Sequence, residues 1–213
     1  MAKHHQKTVR GNHDSQMRQR LAQEAAQILL QRGNRDFHAA KQKAAEHLSV
    51  PDTRNLPNNA EIEQALIEYQ RLFHADSQPQ YLNHLREIAV EAMQFLQDFK
   101  PRLVGAVLNG SADQNSPVIL HVFANLPEEV KLFLLHNKIP HEESHKTVRF
   151  SSVKTEDLPL YRFVADDVRV ELVVFNEKQK HAPLNPVDGK VMKRADLTEV
   201  EMLLSDIEIG AGQ

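Results

Sequence analysis

The residues best suited to chemistry lie in the second half of the chain. His121 sits in the run Pro117-Val118-Ile119-Leu120-His121-Val122-Phe123, and Glu171 sits in Val168-Arg169-Val170-Glu171-Leu172-Val173-Val174-Phe175. Both runs have the length and β-branched content of strands, and strands send alternate side chains to opposite faces. Pro117, Ile119, His121 and Phe123 therefore share one face, while Arg169, Glu171, Val173 and Phe175 share one face of the other strand. If the two strands are neighbours, His121 and Glu171 approach each other, and Arg162 and Arg149 join them where the register allows. Such a set would hold an anion, because a guanidinium offers a rigid fork of donors to a carboxylate or phosphate. The plainer expectation is a polar sheet surface facing solvent.

Other candidates are weaker. Asp113, in Gly110-Ser111-Ala112-Asp113-Gln114-Asn115-Ser116, has an oxygen to offer a metal, but this composition favours a turn. His136, His141 and His145 follow each other closely, yet Pro140 interrupts them and they settle on no common helix face. The chain has no cysteine, which excludes disulfides, thiolate zinc sites and a cysteine nucleophile. It contains no Gly-x-Ser-x-Gly elbow, phosphate-binding Walker loop or dinucleotide fingerprint. No cofactor and no metal is expected.

Gly110-Ser111, followed by Ser116-Pro117-Val118-Ile119-Leu120-His121-Val122, resembles the polymerase β-like nucleotidyltransferase superfamily. The motif of that superfamily is a Gly-Ser turn after the first strand, Ser-Asp-hydrophobic-Asp-Leu on the second, and a third acid on a later strand. The resemblance covers roughly Pro79 to Asn176. It implies acids that hold two divalent metals, which activate the attacking hydroxyl and stabilise the departing pyrophosphate. It also implies a Gly-Ser turn whose backbone N–H groups approach the triphosphate. The seats of the aspartate pair are taken by Pro117 and Ile119, whose side chains give magnesium no oxygen. Ser111 and Pro117 are closer together than in the family, so the helix after the turn is expected to be largely missing. Glu171 stands where the third acid belongs.

The resemblance therefore implies a domain without metal-dependent transfer, binding an anionic ligand or a protein partner through a retained cleft. Its candidate residues are Gly110, Ser111, His121, Arg162, Arg169 and Glu171. One alternative is a divergent transferase that recruits Asp113, Glu171 or the pair Asp166 and Asp167. More narrowly, the chain is similar to a group of uncharacterised bacterial proteins of the same layout, some described as nucleotidyltransferases, that also lack the aspartate pair.

The elements that must position these residues divide the chain in two. Residues 1–14 are polar and charged, with the composition of a disordered tail. Residues 15–76 form a helical region. A first helix is expected from about Ser15 to Gln31, stopped by Gly33, and a second carries Phe37, Ala40, Ala44 and Leu48 on one face. A linker runs from Pro51 to Pro57. Asn58 and Glu61 have capping-box spacing, and so do Ser77 and Gln80, which open helices with stripes Ile62-Ala65-Leu66-Tyr69-Phe73 and Leu85-Ile88-Ala92-Leu96-Phe99. Residues 77–213 form the α/β domain, so the fold class is α+β. Strands are expected at Leu103–Leu108, Val118–Phe123, Lys146–Phe150, Leu160–Val164 and Val168–Phe175, with Asp166-Asp167 turning between the last two. A helix opening at Pro127 is apolar on most sides and is expected to be buried. Asp196 and Glu199 start a short final helix.

The net charge of −3 hides an asymmetry. Residues 1–50 hold nine Lys/Arg against four Asp/Glu, a surplus of +5, leaving −8 for the rest. A second alternative is thus a nucleic-acid-binding protein that meets phosphates with its basic N-terminal helices. The N-terminus has no apolar core of a secretory signal, and no apolar run approaches a membrane span. A cytoplasmic protein with no membrane contact is expected.

Overall fold

Three amphipathic helices build the first of two compact units, Met1–Ala75, and a mixed sheet with flanking helices builds the second, Asp76–Gln213. The structure is a computed structural model that describes residues 2–32, 36–50, 56–73, 78–179 and 181–210, with side chains described between 15 and 205 of these. Gly33, Ser77 and most of the 51–57 linker lie outside the described residues. Together the units make an α+β protein.

In the first unit α1 spans Ala2–Arg32, α2 Phe37–His47 and α3 Asn59–Phe73. Helix α1 starts at Ala2 rather than near Ser15, running through the stretch expected to be disordered. That stretch has no proline and carries Lys3, Gln6, Lys7 and Arg10, all good helix formers. Leu21, Ala25, Ile28 and Leu29 recur at helical spacing and pack with Ala40 and Ala44 of α2 and Ile62 and Leu66 of α3. The capping box at α3 is complete. The Asn58 N–H donates to Glu61 Oε2 at 2.7 Å, and the Glu61 N–H donates to Asn58 Oδ1 at 2.9 Å.

In the second unit α4 (Gln78–Phe95) leads through a 3₁₀ turn (Gln97–Phe99) to β1 (Arg102–Val104), α5 (Ala106–Asn109), β2 (Val118–Ala124) and α6 (Pro127–His136). The strands β3 (Glu142–Arg149), β4 (Thr155–Ala165) and β5 (Val168–Asn176) follow, and then α7 (Leu197–Gly210). The five-stranded sheet has the order β1-β2-β5-β4-β3. Only β2 and β5 run parallel; the other neighbours are antiparallel. Leu103, Val118, Leu120, Val122, Val170, Leu172, Tyr161 and Phe163 form the main core with Leu85, Ala89 and Met93 of α4. Among the described residues no helix is long and apolar enough to cross a membrane.

Two expectations fail here for physical reasons. The run Leu103–Leu108 is not one strand: β1 stops at Val104, Gly105 turns at φ +77°, and α5 follows. A short apolar run fits a buried strand and a buried helical turn equally well, so periodicity could not separate them. Helix α6 is not buried all round. Val130 and Leu134 are fully buried, but Leu132 and Leu135 are 63% and 53% exposed, because only one stripe of the helix reaches the sheet.

Candidate functional site

The register brings the predicted residues together from the strands upward. Ile119 stands directly across from Glu171, and His121 across from Val173, in the parallel β2–β5 pair. Arg162 stands directly across from Glu171 in the antiparallel β4–β5 pair. Alternation therefore puts Ile119, His121, Phe123, Glu171, Val173, Phe175 and Arg162 on one face, opposite the main core. His121 and Glu171 are diagonal rather than direct neighbours on it.

Glu171 is held by two cations. The Arg162 Nε–H donates to its Oε1 at 3.2 Å, and Lys146 Nζ lies 3.6 Å from its Oε2. Lys146 comes from β3, where it pairs across from Leu158. Only 13% of the Glu171 side chain is exposed, so the carboxylate owes its charge balance to these partners more than to water.

The expected solvent-facing surface is in fact covered. His121 is 3% exposed, and Phe175 and Val173 are wholly buried. Ile119, Phe123, Val148 and Phe150 pack with Leu158, Leu160, Val173 and Phe175 in a second, smaller core on this face. Polar groups are set into that core by the chain after β5. Ala195 pairs with Leu103 through two backbone hydrogen bonds, 2.9 and 3.0 Å, which extends the sheet past β1. Leu103 points into the main core, so Ala195 does too, and the preceding Arg194 must point to the opposite face. There its Nε–H donates to His121 Nδ1 at 3.0 Å. Its guanidinium carbon lies 4.7 Å from the Phe175 ring centre and 5.2 Å from that of Phe123. The His121 and Phe175 rings are 4.5 Å apart.

Burial first, then the charges of Arg194 and Lys146, hold the His121 pKa well below the ordinary histidine value. His121 is therefore neutral and accepts at Nδ1, as the Arg194 bond requires. Burial, aided by the charge of Arg102, lowers the Arg194 guanidinium to about 10. Arg102 itself lies 3.4 Å from Asp196.

The remaining predicted residues do not join this cluster. Gly110 is the left-handed cap of α5, at φ +84°, and its carbonyl accepts from Gln78 Nε2 of α4 at 3.1 Å. Ser111 is fully buried, and its hydroxyl and N–H both donate to Asn109 Oδ1. Arg169 is exposed across from Val164, one step nearer the hairpin turn. Arg149 pairs across from Thr155 and alternates away from Lys146, to the other face. Asp113 Oδ1 accepts from the Asn115 N–H and the Ser116 hydroxyl, each at 2.9 Å, the turn its composition predicts. Asp166 and Asp167 form the β4–β5 turn with positive φ. His141 Nδ1–H donates to the Ile139 carbonyl at 2.9 Å and meets Tyr161 edge-on, and among the described residues it joins no group arranged to hold a metal.

Sequence reasoning missed Lys146 and Arg194. For Lys146 the signal was present, since it opens an expected strand and alternates with Val148. Arg194 gave none beyond its position just before the Asp196 cap. No family model, curated protein or solved structure matches the chain.

Proposed function

We propose that the second unit is a nucleotidyltransferase-like domain that no longer performs metal-dependent transfer and uses the same sheet face to bind an anionic ligand or protein partner in the cytoplasm. One observation carries the reading. Glu171, the only acid at a family metal position, faces Ile119 in register, and its carboxylate is already neutralised by Arg162 and Lys146. Two-metal transfer needs several carboxylates converging on cations, with room for water and substrate between them. Here two fixed side-chain cations fill that role, and Pro117 and Ile119 supply hydrocarbon.

The turn geometry supports the reading with one change of alignment. Gly105, not Gly110, is the glycine that follows the first strand, and α5 comes immediately after it. A Cβ built on Gly105 would lie 3.7 Å from Ile119 Cδ1, so this turn approaches the vacated metal seat. Gly105-Ala106 thus takes the part that spacing assigned to Gly110-Ser111. The helix expected to be missing is then present.

The divergent-transferase alternative gains little. Asp113 spends its carboxylate on its own turn, and among the described residues no group of three or more His, Cys, Asp or Glu is arranged to hold a metal ion. For the nucleic-acid alternative, the basic surplus of the first helices is partly cancelled where Arg18 grips Glu61 with bonds of 2.8 Å. The deciding experiment incubates the full chain with labelled nucleoside triphosphates, candidate acceptors and Mg²⁺ or Mn²⁺. No pyrophosphate release is expected. Metal-dependent release that disappears in Glu171→Gln would overturn the reading.

A further inference from the structure

We propose that Arg194 anchors a phosphate site on the covered sheet face, taking the terminal phosphate of a small phosphomonoester or inorganic phosphate itself. Three observations lead there. Arg194 Nη2 has essentially no accessible surface and, among the described residues, no hydrogen-bond partner. Buried donors are nearly always paired, so an unpaired one on a charged group marks a missing acceptor. Among the described residues the guanidinium also has no carboxylate partner: its one polar contact is neutral His121, and its carbon lies over the rings of Phe123 and Phe175. A half-buried cation without an anion carries a desolvation cost, and contact with two rings repays only part of it.

The charge count on this face then selects the ligand. Arg162 and Lys146 share the carboxylate of Glu171, with Glu142 across from Arg162 on the same face, and Arg102 is matched by Asp196, so among these cations Arg194 alone lacks an acid. That unmatched guanidinium offers its Nη donors, and a phosphate answers them with more charge and more acceptor oxygens than a monocarboxylate does. The fork geometry of an arginine whose Nε is already fixed leaves the Nη edge to receive it. Arg194 as a whole keeps partial exposure, and the strap that carries it, 183–194, has no regular secondary structure apart from one isolated bridge, Leu184 to Val191. The site rests on the reading that this face binds anions, but not on the family resemblance.

The test uses the full chain labelled with ¹⁵N-arginine, without divalent metals, titrated with inorganic phosphate and in parallel with acetate. The Arg194 side-chain signals, assigned by their loss in Arg194→Lys, are expected to shift saturably with phosphate and much less with acetate. Calorimetry on Arg194→Gln is expected to show at least tenfold weaker phosphate binding, and Arg194→Lys, which keeps the charge but not the fork, an intermediate loss. Phosphate shifts at Arg162 that leave Arg194 unmoved would overturn this site while leaving anion binding by the face intact. Shifts at neither residue would mean that buried water alone completes Arg194, and would overturn both this site and the anion half of the functional reading. Pyrophosphate release in the presence of metal would overturn the non-catalytic reading without touching the phosphate titration.

Discussion

Replacing His121 with glutamine should make the protein less sensitive to acid. The imidazole is buried, accepts from Arg194 Nε–H, and feels the positive charges of Arg194 and Lys146, with Arg102 across from it on β1. Burial first, then the charges of Arg194 and Lys146, oppose its protonation, so its folded pKa lies well below the ordinary value. The unfolded chain takes up the proton at about pH 6.5, and the folded chain does not. The sign follows: this stability is fully present above that pH and is lost as the pH falls toward the depressed folded pKa. Below pH 6.5 the loss approaches about 1.4 kcal/mol per pH unit for as long as the folded imidazole stays neutral, so from pH 7.5 to 5.0 one such histidine costs up to roughly 2 kcal/mol. Glutamine keeps an oxygen to accept from Arg194 and does not titrate. Urea unfolding of both proteins at a series of pH values isolates the effect, because the other titrating groups cancel in the difference. The wild-type minus variant stability should fall by about that amount over the range. Parallel curves would refute the reasoning, since they would mean that His121 takes up its proton equally in both states.

Glu171→Gln removes the counter-charge shared by Arg162 and Lys146, and because both cations are partly exposed the loss in urea unfolding should be about 1–2 kcal/mol at neutral pH. A change below about 0.3 kcal/mol would mean that the three charges do not form a unit. On α6, Leu134→Ala empties a fully buried position and should cost about 2–5 kcal/mol, whereas exposed Leu132→Ala should stay within about 0.5 kcal/mol. Equal losses would contradict the one-sided packing of that helix.

What could be read in advance was local. The alternation of β2 and β5 put His121 and Glu171 on one face, as the register does, while Arg162 and Arg149 were left to the register, which brings in Arg162 and turns Arg149 away. Asp166 and Asp167 turn where their types favour positive φ, and Asp196 and Glu199 exchange both capping hydrogen bonds, at 2.8 and 3.1 Å. What could not be read depended on partners distant in the chain. Arg194 reaches His121 only because Ala195 bridges to Leu103, a pairing with no pattern in the surrounding loop. The end of β1 escaped notice for a related reason: Gly105 lies inside an apolar run, and Gly110-Ser111 was the more conspicuous pair. The face itself was expected to be wet or open, since nothing in β2 or β5 announces that a later segment will cover it.

If Glu171 is held by Arg162 and Lys146 and not by metal, as proposed, the protein takes up no divalent ion there. Free Mn²⁺, followed by electron paramagnetic resonance as the full chain is added together with a nucleoside triphosphate, tests this directly. The signal should remain that of the nucleotide alone, with no additional ion bound by the protein. Stoichiometric loss of free Mn²⁺ on adding the protein, restored in Glu171→Gln, would contradict it.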